Sequence, residues 1–441
     1  MADSQPQQPS SSGSSGASPS PGPGAGPGAG PAESGTLVLT GARLADGRMV
    51  DVRLGGGRIQ AVGTAGSLGA PVASGGARVD LTGYLLLPAP AEPHAHGDTA
   101  LTAGAASAAG PAGDTATEVQ RRCTEAALLQ LGHGATALRT HVRVGGVTGL
   151  RALEGVLRAR ESLRGLTDVT AVALPRLLTG IGGADGLAAL REAVKMGAEA
   201  IGGCPDLDPD PAGYVEAVLE LAGEHGCAVD LHTDGAEPAR LGRLAAMAGG
   251  LRGAGGAGVT VGPCGGLGRL PERVAGLVGE QLAAAGVAVV CLPQGGCGAL
   301  EQARSRAGRC APVRLLRAAG VRVAAGSGAL RDAANPVGRG DPFEAAYLLA
   351  TLGEAAPEEA YDAVSGQARA AVGLPAVRVE AGFPGELVAV RGEDVAGVLS
   401  LAYSRIVVHQ GRVVARTSAV REYCDTAGAS ELELPRQGQR G

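Results

Sequence analysis

The chain is 441 residues long and carries a formal net charge of -5. This length predicts a large domain together with a smaller one. The acidic balance and the lack of a long Lys/Arg run argue against nucleic acid or an anionic membrane as the main partner. A small-molecule substrate is the expected partner, and the sequence leaves a monomer or a homo-oligomer open.

Targeting and redox signals agree with that expectation. No charged segment followed by an apolar stretch opens the chain, and no apolar run reaches about 18 residues, so the sequence predicts neither a signal peptide nor a membrane span. The eight cysteines are scattered without a Cys-x-x-Cys pair, which predicts reduced thiols in a cytoplasm. With two Phe and no Trp, the core should consist of Ala, Val and Leu.

The chain opens on a region of low complexity and then becomes strand-rich. Residues 1–34 are mostly Ser, Pro, Gly, Ala and Gln, which predicts a disordered tail. Residues 35–88 hold short alternating runs separated by Gly-rich turns, typical of a small antiparallel sheet. Further strands in residues 376–425 are expected to complete this sheet, so that both chain ends form one β-sandwich domain, and residues 426–441 are expected to form a flexible tail.

Strands alternate with helices throughout residues 89–375. The predicted strands after the first are 135–142, 169–174, 200–203, 228–232, 258–261, 287–292 and 321–325. Strands that alternate with helices at this spacing pair in parallel. With the opening strand they make eight units, and the predicted fold class is therefore α/β, a closed (β/α)₈ TIM barrel.

The first barrel strand carries a candidate metal site. An apolar run, Leu85 to Leu87, is closed by prolines and leads to His94 and His96. Residues two apart on a strand point to the same side, about 6–7 Å from each other. Two imidazoles so placed can converge on one Zn²⁺ or Fe²⁺ ion. Taken alone, the pattern fits two hydrogen-bonded histidines at a strand end equally well.

The motif Glu92-Pro93-His94-Ala95-His96-Gly97-Asp98-Thr99 resembles the amidohydrolase superfamily, in particular its cytosine deaminase branch. The likeness extends through residues 139–142, 229–234 and 326–342. It implies a barrel with a small β-domain. It also implies a hydrolase of carbon-nitrogen bonds in small cyclic amidines or amides, in which one divalent metal, zinc or iron, activates water that displaces ammonia.

The resemblance implies that His94, His96 and His232 hold this metal. His232 ends the fifth predicted barrel strand, as the His-x-His pair ends the first. The carboxyl ends of barrel strands form the face on which active sites assemble. Three histidines on that face favour a metal site over three separate structural histidines.

Other positions depart from the family pattern. Gly328 stands where the family has a metal-binding aspartate, Gly235 where it has a proton-shuttling glutamate, and Pro263 where it has a histidine on the sixth strand. Glycine and proline have no side chain that can ligate a metal or move a proton. Asp234 and Asp332 lie in the same loops and are the candidate catalytic residues that remain.

Two further residues are candidate substrate contacts. Arg176 follows the third strand where the family has a substrate-binding glutamine, and His141 fits a polar position in the barrel mouth, although a buried structural role suits His141 as well. Two hypotheses follow. The chain is a metal-dependent hydrolase with impaired deaminase activity, or it is a catalytically silent pseudoenzyme barrel that binds a small molecule or a protein partner.

Overall fold

The computed structural model of the protein describes residues 35–68, 76–104, 115–146, 149–252, 258–295, 310–401 and 403–419. The tails predicted at 1–34 and 426–441 lie outside the described residues. Among the helices of the described ranges, none combines the length and the apolarity that a membrane span requires.

The described residues form strands and helices in the order that the sequence predicts for an α/β barrel with an added β-domain. The strands are β1 (Leu37–Arg43), β2 (Met49–Gly55), β3 (Arg58–Thr64), β4 (Ala77–Asp80), β5 (Tyr84–Pro88), β6 (Ala91–Ala95), β7 (Ala137–Val144), β8 (Asp168–Pro175), β9 (Ala200–Gly203), β10 (Ala228–Thr233), β11 (Val259–Pro263), β12 (Ala288–Cys291), β13 (Val323–Ala325), β14 (Leu387–Arg391), β15 (Arg405–His409) and β16 (Arg412–Thr417). The helices are α1 (Ala116–Gly132), α2 (Arg151–Ser162), α3 (Gly183–Met196), α4 (Pro211–His225), α5 (Pro238–Arg252), α6 (Glu272–Ala285), α7 (Val313–Ala318), α8 (Pro342–Thr351), α9 (Pro357–Val364), α10 (Gly366–Ala371) and α11 (Val395–Leu401).

Strands β6 to β13 form one parallel sheet in chain order, which confirms the predicted barrel. Their interiors are Val, Ala and Leu, and helices cover the outside, so both faces of each strand are buried. The predicted strand at 200–203 has the observed bounds of β9, and the other predicted barrel strands differ from the observed ones by one or two residues at their ends.

The first and last barrel strands are joined by a side chain. The carboxylate of Glu92 on β6 accepts hydrogen bonds from the Ser327 amide, 2.9 Å away, from the Ser327 hydroxyl and from the His94 amide at 3.0 Å. A Cβ at Gly326 would lie 2.5 Å from Glu92 Oε1, so glycine is required there for this approach. Glu92 thereby fixes the loop after β13 against the strand that carries the His-x-His pair.

The second sheet is built from both chain ends, as predicted, in the order β16-β15-β14-β5-β1-β2-β3, with β4 also on β1. It is mixed rather than antiparallel, because β4 and β5 follow each other along one edge of β1 and both run parallel to it. The run that leads to His94 forms two strands in two sheets. Pro90 has no amide hydrogen to continue a ladder, and the chain passes there from β5 to β6.

A buried ion pair joins the second sheet to the barrel helices. Arg405 on β15 donates to both carboxylate oxygens of Asp341, at 2.9 and 2.8 Å. Asp341 also caps α8 by accepting from the Phe343 amide at 2.9 Å, and the Arg405 guanidinium lies 4.3 Å from the centre of the Phe343 ring. Burial alone would raise the pKa of Asp341, but the Arg405 hydrogen bonds and charge hold that pKa below its ordinary value.

We predict that Asp341→Asn lowers the free energy of unfolding by about 3–5 kcal/mol, because the variant leaves the Arg405 charge buried without its carboxylate. Urea unfolding at pH 7 measures this. Since the pKa of Asp341 is lower in the folded state, its contribution is present above the unfolded pKa of about 4 and is lost as the pH falls. The difference between the two proteins should therefore shrink in acid.

The matched control is Asp46→Asn, which removes an aspartate paired with Arg48 at the surface. Its urea midpoint should equal that of the wild type. Equal midpoints for Asp341→Asn and the wild type would contradict a structural role for the buried pair.

Candidate metal centre

Four buried histidines meet at the carboxyl end of the barrel. His94 lies on β6, His96 directly follows it, His141 lies on β7 and His232 on β10. Because side chains alternate along a strand, the inward positions at these strand ends face a common centre. One ring nitrogen from each histidine lies within 4.8 Å of those from the other three.

The closest ring nitrogens have distances that suit a metal ion. Nε2 of His94 lies 2.9 Å from Nε2 of His232 and 3.3 Å from Nε2 of His96. Nitrogens bound to one tetrahedral zinc ion at 2.0–2.1 Å lie about 3.3–3.4 Å apart. Two facing nitrogens can also share a proton. However, Nε2 of His94 faces two other ring nitrogens and has only one lone pair or one hydrogen, so it can form a well-directed hydrogen bond with only one of them. The donor set therefore fits a cation better than it fits a closed hydrogen-bond network.

Electrostatics keep these rings in the form that binds metals. Burial, and after it the neighbouring histidines, hold the pKa values of His94 and His232 well below the ordinary value. Burial likewise lowers the pKa of His96, to about 4. The three rings are consequently neutral at pH 7 and keep a nitrogen lone pair for a metal.

A layer of charged residues lies one step deeper in the barrel. Glu92, Arg139 and Asp230 each precede a cluster histidine by two residues and so share its strand face. Arg139 Nη1 donates to Asp230 Oδ2 at 3.2 Å, and Asp230 Oδ1 lies 3.3 Å from Nε2 of His141. Although burial opposes its ionisation, the charges of His141 and Arg139 hold the pKa of Asp230 well below its ordinary value.

Sequence reasoning missed this charged layer. The sequence feature that could have revealed it is a charged residue two positions before His94, His141 and His232, inside strands expected to be buried. A charge at such a position has to be paired within the barrel, and this requirement links it to the residues above it.

The structure places the three predicted metal ligands, His94, His96 and His232, side by side. It adds His141, which the sequence suggested as a substrate contact. Arg176, the other suggested substrate contact, follows β8 directly and is exposed.

The two candidate catalytic acids have separate surroundings. Asp332 is buried and accepts from Thr99 Oγ1 at 2.8 Å and from the amides of Ala334 and Asn335 at 2.8 and 3.1 Å. Asp234 is about one-third exposed and forms an ion pair with Arg269. Both carboxylates thus already have charged or polar partners.

The two glycines that depart from the family pattern, Gly235 and Gly328, have backbone conformations that favour glycine. Gly235 has φ +71° and Gly328 has φ +68°, both in the left-handed region. A Cβ would lie 3.2 Å from Leu267 Cγ in the first case and 3.2 Å from Leu292 Cδ1 in the second. An acidic side chain at either position would therefore be strained by both backbone and contacts.

We predict that Gly235→Ala and Gly328→Ala each lower the free energy of unfolding by about 1–2 kcal/mol, the cost of a Cβ in the left-handed region. Urea unfolding is the measurement. Gly250→Ala is the control, because Gly250 is exposed on α5 and a Cβ there contacts nothing. That control should leave stability unchanged or slightly increased. Full stability in both test variants would show that these loops tolerate side chains.

Comparison with known proteins places this geometry among described enzymes. No family model matches the chain. The chain is 31% identical over 122 residues to N-isopropylammelide isopropyl amidohydrolase of Pseudomonas sp. (strain ADP). That match covers 26% of this chain and 29% of the relative, so it spans less than a third of the relative's length.

Two solved structures are similar over most of the chain. N-isopropylammelide isopropylaminohydrolase from Burkholderia multivorans is 27% identical, with a TM-score of 0.75, over 88% of this chain and 100% of that one. 5-Methylcytosine deaminase from Klebsiella pneumoniae, liganded with 5-fluorocytosine, is 21% identical, with a TM-score of 0.74, over 88% and 99% of the two chains. The second likeness concerns the fold alone.

Proposed function

Because this chain belongs to the amidohydrolase superfamily and resembles its cytosine deaminase branch, we propose that it binds one divalent metal ion and hydrolyses a carbon-nitrogen bond in a small cyclic molecule. The observation that carries the proposal is the group of four buried histidines at the carboxyl end of the barrel. The Nε2 atoms of His94, His96 and His232 lie close together, and buried imidazole nitrogens that converge in this way have a clear chemical use as ligands.

Zinc is our first choice for the metal and iron the second. His94, His96 and His232 would hold the ion, since their nitrogens converge and their pKa values keep them unprotonated. Imidazole ligands suit both metals, and zinc accepts a tetrahedral arrangement without preference from d-electrons. When bound, such an ion supplies Lewis acidity and a nucleophilic water at neutral pH.

The protein's own proton carriers are weaker than those that the resemblance implies. We propose Asp332 and Asp234 for this role because they lie in loops at the same barrel face. Asp332 is held beside the motif by Thr99, and Asp234 is held by Arg269. Each carboxylate would have to leave its present partner before it could carry a proton to or from a substrate. Deamination of cytosine should accordingly be impaired.

Substrates are expected to approach from the face where the strands end. We propose Arg176 as a contact for them, because it is exposed directly after β8. A ring that carries an alkylamino group, as in N-isopropylammelide, is the first candidate, since the similar structure with that activity shares 27% identity over 88% of this chain. Location in the cytoplasm stays a prediction, with which the six described cysteines, all free thiols, are compatible.

The alternative is a silent barrel that binds a metal or a small molecule without turnover. One observation favours it. Three positions where the family pattern has an acid or a base hold residues without such a side chain: Gly235, Pro263 and Gly328. The two proposals share the metal and differ in catalysis. Metal content and turnover therefore have to be measured separately.

We predict about one zinc ion per chain in protein purified without added metal, as for other three- or four-histidine sites. The double variant His94→Ala/His96→Ala should hold zinc at background, because it loses two of the converging nitrogens. Elemental analysis of the purified chains is the measurement. His225→Ala is the control. This exposed histidine ends α4 before the amino end of β10, whereas His232 lies near the carboxyl end of that strand, so zinc content should be unchanged. Background zinc in the wild type, unaltered in the double variant, would remove the metal from this account.

We also predict ammonia release from cytosine below about 1 s⁻¹, the low end of ordinary enzymes. Cytosine, 5-methylcytosine and N-isopropylammelide are assayed with Zn²⁺ or Fe²⁺ supplied, and release of ammonia or isopropylamine is followed. Any turnover should vanish in His232→Ala. Faster cytosine turnover that depends on His232 would show that Asp234 or Asp332 replaces the missing relay. A zinc-loaded chain inactive on all three compounds would favour the silent barrel.

A further inference from the structure

We propose that Nε2 of His141 is the fourth protein ligand of the metal, so that an imidazole replaces the strand-eight carboxylate and the donor set is entirely histidine. This inference rests on the proposed function, which requires a metal, and goes beyond it by assigning a ligand that the resemblance does not supply. It assigns His141 a role as a metal ligand, whereas the sequence suggested a substrate contact.

The hydrogen bonding of His141 identifies the nitrogen that is free to bind. Nδ1 of this ring lies 3.2 Å from the carbonyl oxygen of Ala95. A carbonyl oxygen can only accept, so Nδ1 carries a hydrogen, and Nε2 is the nitrogen through which this ring could bind a metal. The ring is completely buried, so bulk solvent does not reach that nitrogen.

The surroundings of Nε2 call for a positive charge. Nε2 lies 3.3 Å from Asp230 Oδ1, and neither atom has a hydrogen-bond partner. Arg139 donates to the other oxygen of Asp230. Leaving two buried polar atoms without partners is costly in a low-dielectric interior, so this pair needs either a proton between the two atoms or a cation beside them. A metal ion bound to Nε2 would supply that positive charge.

The position of His141 suits the ligand that is missing. Its ring centre lies 4.3 Å from that of His94 and 4.6 Å from that of His232. Gly328, which follows β13 on the other side of β6 from β7, offers no side chain, and the Ser327 hydroxyl is bonded to Glu92. An imidazole is a neutral ligand, whereas the carboxylate that it would replace is negative. The carboxylate of Asp230, 3.3 Å from Nε2 of His141, can supply that negative charge.

The test is zinc X-ray absorption on the full chain loaded with one zinc ion, which counts the imidazole rings around the metal. We expect four rings in the wild type and three in His141→Gln, whose amide can still donate to the Ala95 carbonyl. Zinc affinity, measured by competition with a chromophoric chelator, should fall at least about 10-fold in that variant. The control His133→Gln, which alters a half-buried histidine bonded to the Gly340 carbonyl, should keep four rings and the wild-type affinity.

Three rings in the wild type would overturn the inference and favour a protonated His141 that donates to Asp230. Unchanged rings and affinity in His141→Gln would overturn it too. If that variant fails to fold, the ring count of the wild type decides alone. If the double variant His94→Ala/His96→Ala loses zinc and His141→Gln has no effect, only this inference is wrong. If the double variant keeps its zinc, the proposed function is wrong as well.

Discussion

The structure of the barrel mouth depends on one constraint: four imidazole rings lie in a dry interior that cannot satisfy all of their nitrogens. Burial lowers the pKa values of His94, His96 and His232, so the rings are neutral rather than mutually repelling cations. A neutral ring still needs one donor and one acceptor partner, and several nitrogens find none. Such a cluster is unfavourable for folding unless a cation binds to it, and this links its stability to metal binding.

The charged layer below the rings explains how the mouth is held. Asp230 lies between Arg139 and His141, and Glu92 ties the end of the last strand to the first. Burial raises the pKa of Glu92 to about 7, and the hydrogen bonds from Ser327 and from the His94 amide oppose that shift. The loop after β13 is thus used to close the barrel. The same loop has Gly328 where the resemblance implies a ligand, so a metal would have to be held from β6, β7 and β10.

In the proposed function, metal binding and proton transfer depend on different residues. The histidines that would hold the ion are buried on or next to barrel strands. The positions that would move protons are glycines in a left-handed conformation or acids already paired with Thr99 or Arg269. A lost proton relay is worth about 10²–10⁴ in rate, while the fold and the ligand cluster do not depend on it. The proposed function accordingly combines a metal site with little deaminase activity.

The sequence alone determined the barrel, the β-domain from both chain ends and the three histidines at strand ends. The spacing of hydrophobic residues and the position of a histidine at the end of a strand are both local properties of the sequence. Tertiary structure decided the rest. The Glu92–Ser327 contact joins residues 235 apart in sequence, and the bond from His141 to Ala95 joins residues 46 apart, so no local pattern encodes them. The parallel pairing of β1 with β5 and the turn into the barrel at Pro90 likewise depend on which edges the folded chain brings together. Our choice of a metal over a substrate as the partner of His141 rests on the same kind of three-dimensional contacts, including Asp230 beside the ring.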